Sequence, residues 1–263
     1  MEERGEEALE RQAVAVITGA SSGLGAALTR LLDRTLPEDV ELWLIARDRE
    51  KLTDFATGLT HRTRVLAYDL TLEATFDELK RLFDQEQPAV QLLINNAGEG
   101  CSGSFCSQEG AAHQALCDLN VRAQLALTSQ ALPWMGAGSS LLFVASVAAF
   151  LPQPGFAAYA ASKAFILSFG RALREELKER GIRVTVTCPN PMLTDFFTSQ
   201  QKEALLKSYK RFGIEDPDRV AEKTLAAMRR DKGLVVTSPS GKLIRLAAKL
   251  LPTGLLLKWI RWK

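Results

Sequence analysis

Only two histidines and four cysteines occur in the 263 residues, and neither set is arranged for metal or disulfide chemistry. Cys101, Cys106, Cys117 and Cys188 form no Cys-x-x-Cys pair and share no ligand spacing with His61 or His113. The expectation is no metal site, and free thiols in a reducing compartment. No run of about 18 uninterrupted apolar residues is present, which argues against a membrane-spanning helix. The opening MEERGEEALERQ is acidic and lacks the basic start and apolar core of a signal peptide, so a cytoplasmic chain is expected. Internal repeats, low-complexity tracts and breaks in composition are missing too. So is any large excess of charge: 33 Lys and Arg oppose 31 Asp and Glu, a balance that gives no general pull toward nucleic acid. The asymmetry is local. No acidic residue follows Asp231, whereas Lys242, Arg245, Lys249, Lys258, Arg261 and Lys263 do.

What is present is globular: 46% hydrophobic and 24% charged residues, enough to bury a sizeable core. Short β-branched or apolar runs at 13–18, 40–46, 64–67, 91–94, 140–146, 182–188 and 234–237 alternate with helical patterns. The latter cover 25–33, 49–58, 72–85, 109–134, 157–180, 199–210 and 217–229. Near-continuous apolar strands separated by helices predict a parallel sheet covered on both faces. The reading is a single doubly wound α/β domain of about seven strands over 13–240, with an N-terminal extension at 1–12 and a basic amphipathic tail at 241–263.

The first strand runs into Thr18-Gly19-Ala20-Ser21-Ser22-Gly23-Leu24-Gly25 and then a helix. Glycines there let the backbone turn sharply and approach a pyrophosphate, while the helix N-terminus offers free N–H groups and positive dipole charge. By itself such a loop is a weak signal, since a structural tight turn explains it as well. Its spacing differs from Gly-x-Gly-x-x-Gly, and Thr-Gly-x-x-x-Gly-x-Gly resembles the cofactor loop of the short-chain dehydrogenase/reductase (SDR) family. Asn95-Asn96-Ala97-Gly98 after the fourth strand resembles the family's segment beside the cofactor. Ser146 follows the fifth strand, and Tyr159-Ala160-Ala161-Ser162-Lys163, thirteen residues on, resembles Tyr-x-x-x-Lys. Asn120 stands in Asp118-Leu119-Asn120-Val121, where the family carries its fourth catalytic residue. The resemblance runs from about Val14 to Thr194 and implies a Rossmann-type catalytic domain. Four motifs in register are hard to assign to chance.

The chemistry fits those residue types. Tyr159 and Lys163 are four apart in a helical stretch and project from one face. A free phenol has a pKa of about 10 and is a poor proton shuttle near neutrality. A nearby ammonium favours the phenolate; bringing the pKa to about 7 takes about 4 kcal/mol, with help from the nicotinamide's positive charge. Tyr159 is then the general acid for carbonyl reduction or the base for alcohol oxidation, and Ser146 hydrogen-bonds the substrate oxygen. The resemblance adds that Lys163 reaches the nicotinamide ribose and that Asn120 holds a water linking Lys163 to solvent. Taken singly, Tyr159 reads equally as a helix aromatic, Lys163 as a surface charge, Ser146 as a strand end and Asn120 as a helix start.

Cofactor choice turns on the end of the second strand. An acidic residue about 20 positions after the glycines selects NAD through the ribose 2′-OH, whereas Arg accommodates a 2′-phosphate. The chain reads Leu44-Ile45-Ala46-Arg47-Asp48, with Ala46 at the expected acidic position and Arg47 next. NADP(H) is therefore expected over NAD, through charge-assisted bonds to Arg47. Two features pull the other way: Asp48 becomes the reader if the strand ends one residue later, and Ser22 stands where many NADP-preferring relatives carry a second basic residue. Asp69 resembles the family's adenine-contacting Asp and is equally placed to cap the next helix. Pro189-Asn190-Pro191-Met192-Leu193-Thr194 resembles the loop whose Thr contacts the nicotinamide carboxamide, with Asn190 replacing the usual glycine. Asn tolerates left-handed backbone angles, so that turn is expected to survive.

Val147, Phe150, Leu151, Phe156, Met192, Phe196 and Phe197 offer an apolar wall for a ketone, hydroxysteroid or oxo-lipid, or else belong to the core. The expected function is hydride transfer between NADP(H) and the carbonyl or secondary alcohol carbon of an apolar substrate. The alternative is a catalytically silent NADP(H)-sensing module of the same fold. A zinc-dependent dehydrogenase is disfavoured by the two isolated histidines, and epimerase relatives by the glycine spacing. The tail mixes leucines and tryptophans with six basic residues. It reads as a cover for the cleft or a subunit interface, or as a peripheral membrane contact. Long Ala/Leu-rich helices around Asn120 and Tyr159 suggest a homodimer or homotetramer, by analogy with the family.

Overall fold

The computed structural model describes residues 11–207 and 213–261, without the side chains of Ala204, Trp259, Ile260 and Arg261. Residues 1–10 of the expected N-terminal extension, the end of the 199–210 pattern, and Trp262 and Lys263 of the tail lie outside the described residues.

Among the described residues seven strands form one sheet: β1 (Ala13–Thr18), β2 (Glu41–Ala46), β3 (Thr63–Ala67), β4 (Ala89–Asn95), β5 (Ser140–Val144), β6 (Arg183–Cys188) and β7 (Leu234–Val236). Their spatial order is β3-β2-β1-β4-β5-β6-β7, and every pairing is parallel. Parallel neighbours need crossovers, and helices supply them. These are α1 (Gly23–Asp33), α2 (Arg49–Thr57), α3 (Glu73–Glu86), α4 (Gly110–Cys117), α5 (Ala123–Ala131), α6 (Ala157–Glu176), α7 (Ser199–Lys207) and α8 (Pro217–Arg229). After β7 come α9 (Pro239–Leu250) and α10 (Thr253–Arg261). This is the expected single-domain doubly wound fold.

Alternation along the strands feeds two cores. Val14 and Val16 of β1 enter one with Trp43, Phe83, Leu127, Phe143 and Ile166; Ala15 and Ile17 enter the other with Leu28, Leu52, Leu142, Val220 and Leu225. The first core lies under α3, α5 and α6, the second under α1, α2 and α8. Strands buried on both faces read as unbroken apolar runs for this reason.

The expected 109–134 helix is not one helix. α4 gives way at Asp118–Arg122 to a wide turn with π-type bonding, then α5 runs to Ala131 and Leu132–Trp134 tighten into a 3₁₀ turn. Such bulges re-aim a side chain, and Asn120 lies fully buried at this one. The expected 157–180 helix likewise ends at Glu176.

The chain runs outward from β1 to β3, returns beside β1 at β4, and runs outward again to β7. The C-terminal ends of β1 and β4 therefore flank a crevice, the usual ligand position in an open α/β sheet.

Candidate active site

The loop after β1 is fastened to the loop after β4. Thr18 Oγ1 accepts the backbone N–H groups of Asn96 and Ala97 at 2.9 Å each, and Asn96 Nδ2 donates to Thr18 O at 2.9 Å. Gly23 turns the chain with φ at +53°, and a side chain at Gly25 would collide with the Gly19 carbonyl oxygen. Ser22 precedes α1, whose first turn carries no acidic residue, so the positive end of that helix stays uncompensated. Ser21, Ser22, Gly23, Lys51, Thr194 and Asp195 line an open groove of about 340 Å³ there. Lys51 of α2 and Asp195 close one side of it with a 2.7 Å ion pair.

At the end of β2 the strand stops at Ala46 and Arg47 is exposed. Asp48 is engaged as the N-cap of α2, its Oδ1 accepting the Lys51 N–H at 3.0 Å. Asp69 Oδ1 accepts both the N–H (2.9 Å) and the hydroxyl (2.7 Å) of Thr71, so it shapes the turn into α3. Burial pushes the Asp69 carboxyl up, but the Thr71 bonds and the Arg47 charge outweigh it and leave the carboxyl below its ordinary value. The Arg47 charge thus acts on Asp69 from the end of the neighbouring strand.

The crevice end of β5 carries Ser146, whose Oγ accepts the Ala148 N–H at 3.1 Å and caps the short turn Val147–Phe150. From α6, Tyr159 and Lys163 reach the same place. Lys163 is buried, with Nζ 3.0 Å from the Val144 carbonyl oxygen and 5.9 Å from the Tyr159 ring centre. Asn120 spends both amide hydrogens on protein, donating to Glu99 O (2.9 Å) and Ser162 Oγ (3.1 Å), while its Oδ1 accepts Glu99 N–H at 2.9 Å. A side chain on Gly98 would stand 2.9 Å from Asn120 Oδ1 and 3.1 Å from Lys163 Nζ. Glycine keeps that passage open.

Electrostatics here differ from the sequence expectation. The Tyr159 phenol is pushed up to about 12, first by burial and only partly offset by its hydrogen bond with Ser146. Burial also lowers the Lys163 ammonium to about 8. In the chain alone, desolvation outweighs the Ser146 bond, which favours the phenolate.

A family model described as short chain dehydrogenase matches residues 13–205, nearly the whole of this sheet and its crevice. The chain belongs to the short-chain dehydrogenase family. An uncharacterized oxidoreductase of Staphylococcus epidermidis is 28% identical over 202 residues, covering 74% of this chain and 86% of the relative. A short-chain dehydrogenase from Sphingobium yanoikuyae, solved with NADPH, aligns at a TM-score of 0.76 and 25% identity, over 93% of this chain and 94% of its own. A family member from Burkholderia phymatum, solved with NAD, aligns at 0.79 and 23% identity, over 94% and 95% of the two chains.

In this short-chain dehydrogenase the segment after β6 departs from expectation. Asn190 does not adopt left-handed angles: among the described residues only Gln87 and Asp231 do so outside glycine. Hydrogen bonds to side chains and backbone hold the loop instead. Asn190 N–H donates to Glu215 Oε2 at 2.9 Å, its Nδ2 donates to Ser240 Oγ at 2.7 Å, and Pro189 O accepts the Val147 N–H at 3.0 Å. Thr194 ends this segment against Gly23, 3.2 Å from where a Cβ would stand.

The expected apolar wall divides. Phe156 and Phe196 pack edge-on to the Tyr159 ring at 5.4 and 5.6 Å, and Phe197 packs on Phe196 at 4.9 Å. Val147 and Phe150 belong to the core under α6, Met192 packs on the other core, and Leu151 is half-buried. Gln201 of α7 donates to Ser102 Oγ at 2.6 Å, tying the helix beyond Phe196 to the loop beyond Gly98.

Three groups in the site carry no signal in the sequence. Cys188 ends β6 fully buried, its thiol pushed up to about 12 by burial against a Ser146 backbone bond and the charges of Arg245 and Lys163. Glu99 offers only its backbone to Asn120, and Glu215 meets Asn190 from 25 residues away.

Proposed function

We propose that this oxidoreductase moves hydride between NADP(H) and the carbonyl or secondary alcohol carbon of an apolar substrate, with Tyr159 as general acid/base. The convergence of Ser146, Tyr159 and Lys163 beneath a wall of Phe156 and Phe196 carries the reading. The residues present fit the dinucleotide. Gly19, Ser21, Ser22, Gly23, Leu24 and Gly25 would take the pyrophosphate, where the close Gly25–Gly19 approach leaves room only for backbone. Arg47 would take the 2′-phosphate, since Asp48 is engaged as a helix cap. Asp69 would border the adenine, and Asn96, Ala97 and Gly98 the cofactor's inner flank. Pro189 and Thr194 would border the nicotinamide and Lys163 its ribose.

When bound, the nicotinamide supplies the hydride for reduction or accepts it in oxidation. The chain's own residues manage the proton. Tyr159, protonated throughout the neutral range, donates its hydroxyl proton to the carbonyl oxygen. Ser146 donates a hydrogen bond to that oxygen as its charge grows. The Lys163 ammonium then favours the phenolate left behind. Asn120 braces the bulged turn and the Glu99 backbone, which keeps Gly98 beside Lys163. Phe156 and Phe196 exclude water and suit a ketone, hydroxysteroid or oxo-lipid. No charged group in that wall requires a charged substrate.

Replacing Tyr159 by Phe tests the assignment. Turnover of a carbonyl panel should fall by about 10²–10⁴ while NADPH affinity is kept. A Tyr159→Phe chain that retains its function overturns it in favour of an NADP(H)-sensing module. The exposed Phe165 of α6, stacked on Phe169, suits pairing of this helix face in a homodimer or homotetramer. The four free thiols suit the cytoplasm.

A further inference from the structure

Exposed apolar surface is concentrated in the last two helices and the turn between them. Leu243, Leu246, Leu250, Leu251 and Leu255 are each between 44% and 68% exposed. Isolated exposed leucines are ordinary, but a contiguous group is not. On α9, Leu243, Leu246 and Leu250 recur at helical spacing as one stripe, while Gly241 and Ile244 turn inward and Gly241 lies against Val147 and Val236. Lys242, Arg245 and Lys249 repeat the same spacing one residue earlier, so a basic stripe runs beside the leucines. On α10 Leu256 is buried, and Leu255 and Lys258 face out. Among the described residues no ion pair engages Lys242, Arg245, Lys249 or Lys258, and no acidic residue follows Asp231 to offer one.

We propose that this face docks on an anionic phospholipid surface, the leucines entering the headgroup–acyl boundary and the basic stripe meeting lipid phosphates. The charge pattern decides between occupants. An apolar stripe flanked by uncompensated lysine and arginine is the pattern of a helix lying in a membrane interface. A second copy of the chain is the competing occupant, and a two-fold contact presents the same patch from both sides. It would set basic stripe near basic stripe with no carboxylate on either tail to relieve the repulsion. No helix among the described residues is long and apolar enough to cross a membrane, so the contact is peripheral. Because α9 packs on the Val147–Phe150 turn beside Ser146, the docked face lies next to the site.

The test is co-sedimentation of the full chain with phosphatidylcholine vesicles, with and without phosphatidylglycerol, at low and high salt. The chain should pellet with the phosphatidylglycerol vesicles only, and less so in high salt. Leu246→Ser with Leu250→Ser should weaken binding more than about tenfold. Lys242→Gln with Lys249→Gln should weaken it roughly thirtyfold, at about one kcal/mol per basic residue. The charge pair alters only exposed side chains and decides the matter should the leucine pair fail to fold. No pelleting, or equal pelleting with pure phosphatidylcholine, overturns the proposal. So does a leucine pair that leaves vesicle binding intact while sedimentation velocity shows the wild-type oligomer dissociating, which makes the face an interface between copies.

Discussion

At the residue scale, the two central groups are held away from their ordinary proton affinities, and both shifts have one cause. Burial penalises charge, so the Tyr159 phenol rises to about 12 and the Lys163 ammonium falls to about 8. The sign for Lys163 is definite: its positive charge is present below about pH 8 and lost above. We expect kcat/KM for carbonyl reduction to fall as pH rises through about 8, since that ratio reports the enzyme before its carbonyl substrate binds. A profile flat to pH 10 would contradict the assignment. Arg47 offers a second handle. Arg47→Ser should weaken NADPH binding about tenfold, about 1.4 kcal/mol, and leave NADH binding unchanged, as isothermal titration can show. Both residues were legible in the sequence because fixed spacing to a strand end or a helix turn located them. Cys188, Glu99 and Glu215 were not, because they act through backbone atoms or across long stretches of chain. Asn190 was legible as a departure, but its remedy, a bond network rather than a left-handed turn, exists only in three dimensions.

At the element scale, α6 must lie close to the sheet for Tyr159 and Lys163 to reach Ser146. Gly170 permits this: a Cβ there would stand 2.6 Å from Val186 Cγ2 and 3.1 Å from the Phe143 ring. Gly170→Val should therefore lower the thermal midpoint through overpacking of about 1–3 kcal/mol. The bulged turn between α4 and α5 makes a similar demand. Asn120→Ala removes three hydrogen bonds at a fully buried position, and we expect a loss of about 1–3 kcal/mol in denaturant unfolding. The strands were readable because a doubly covered sheet writes itself as apolar runs. The bulge was not, because one widened turn leaves the apolar periodicity of 109–134 nearly intact.

At the scale of the whole molecule, the strand order places every proposed binding element on one crevice. The glycine loop follows β1, Arg47 follows β2, Asp69 follows β3, Asn96 follows β4 and Ser146 follows β5. Reversal of the winding between β1 and β4 opens the space between them. The parallel sheet was inferable from the alternation of strand and helix patterns, but its strand order was not, and neither was the placement of α9 against the Val147–Phe150 turn, since nothing local in Gly241 announces Val147 as its neighbour. Paired fluorescence titrations of the purified chain with NADPH and NADH test directly whether this crevice takes NADP(H), without knowledge of the substrate. NADPH should bind at least about tenfold tighter, about 1.4 kcal/mol. Equal or tighter binding of NADH would contradict it and make Arg47 a bystander.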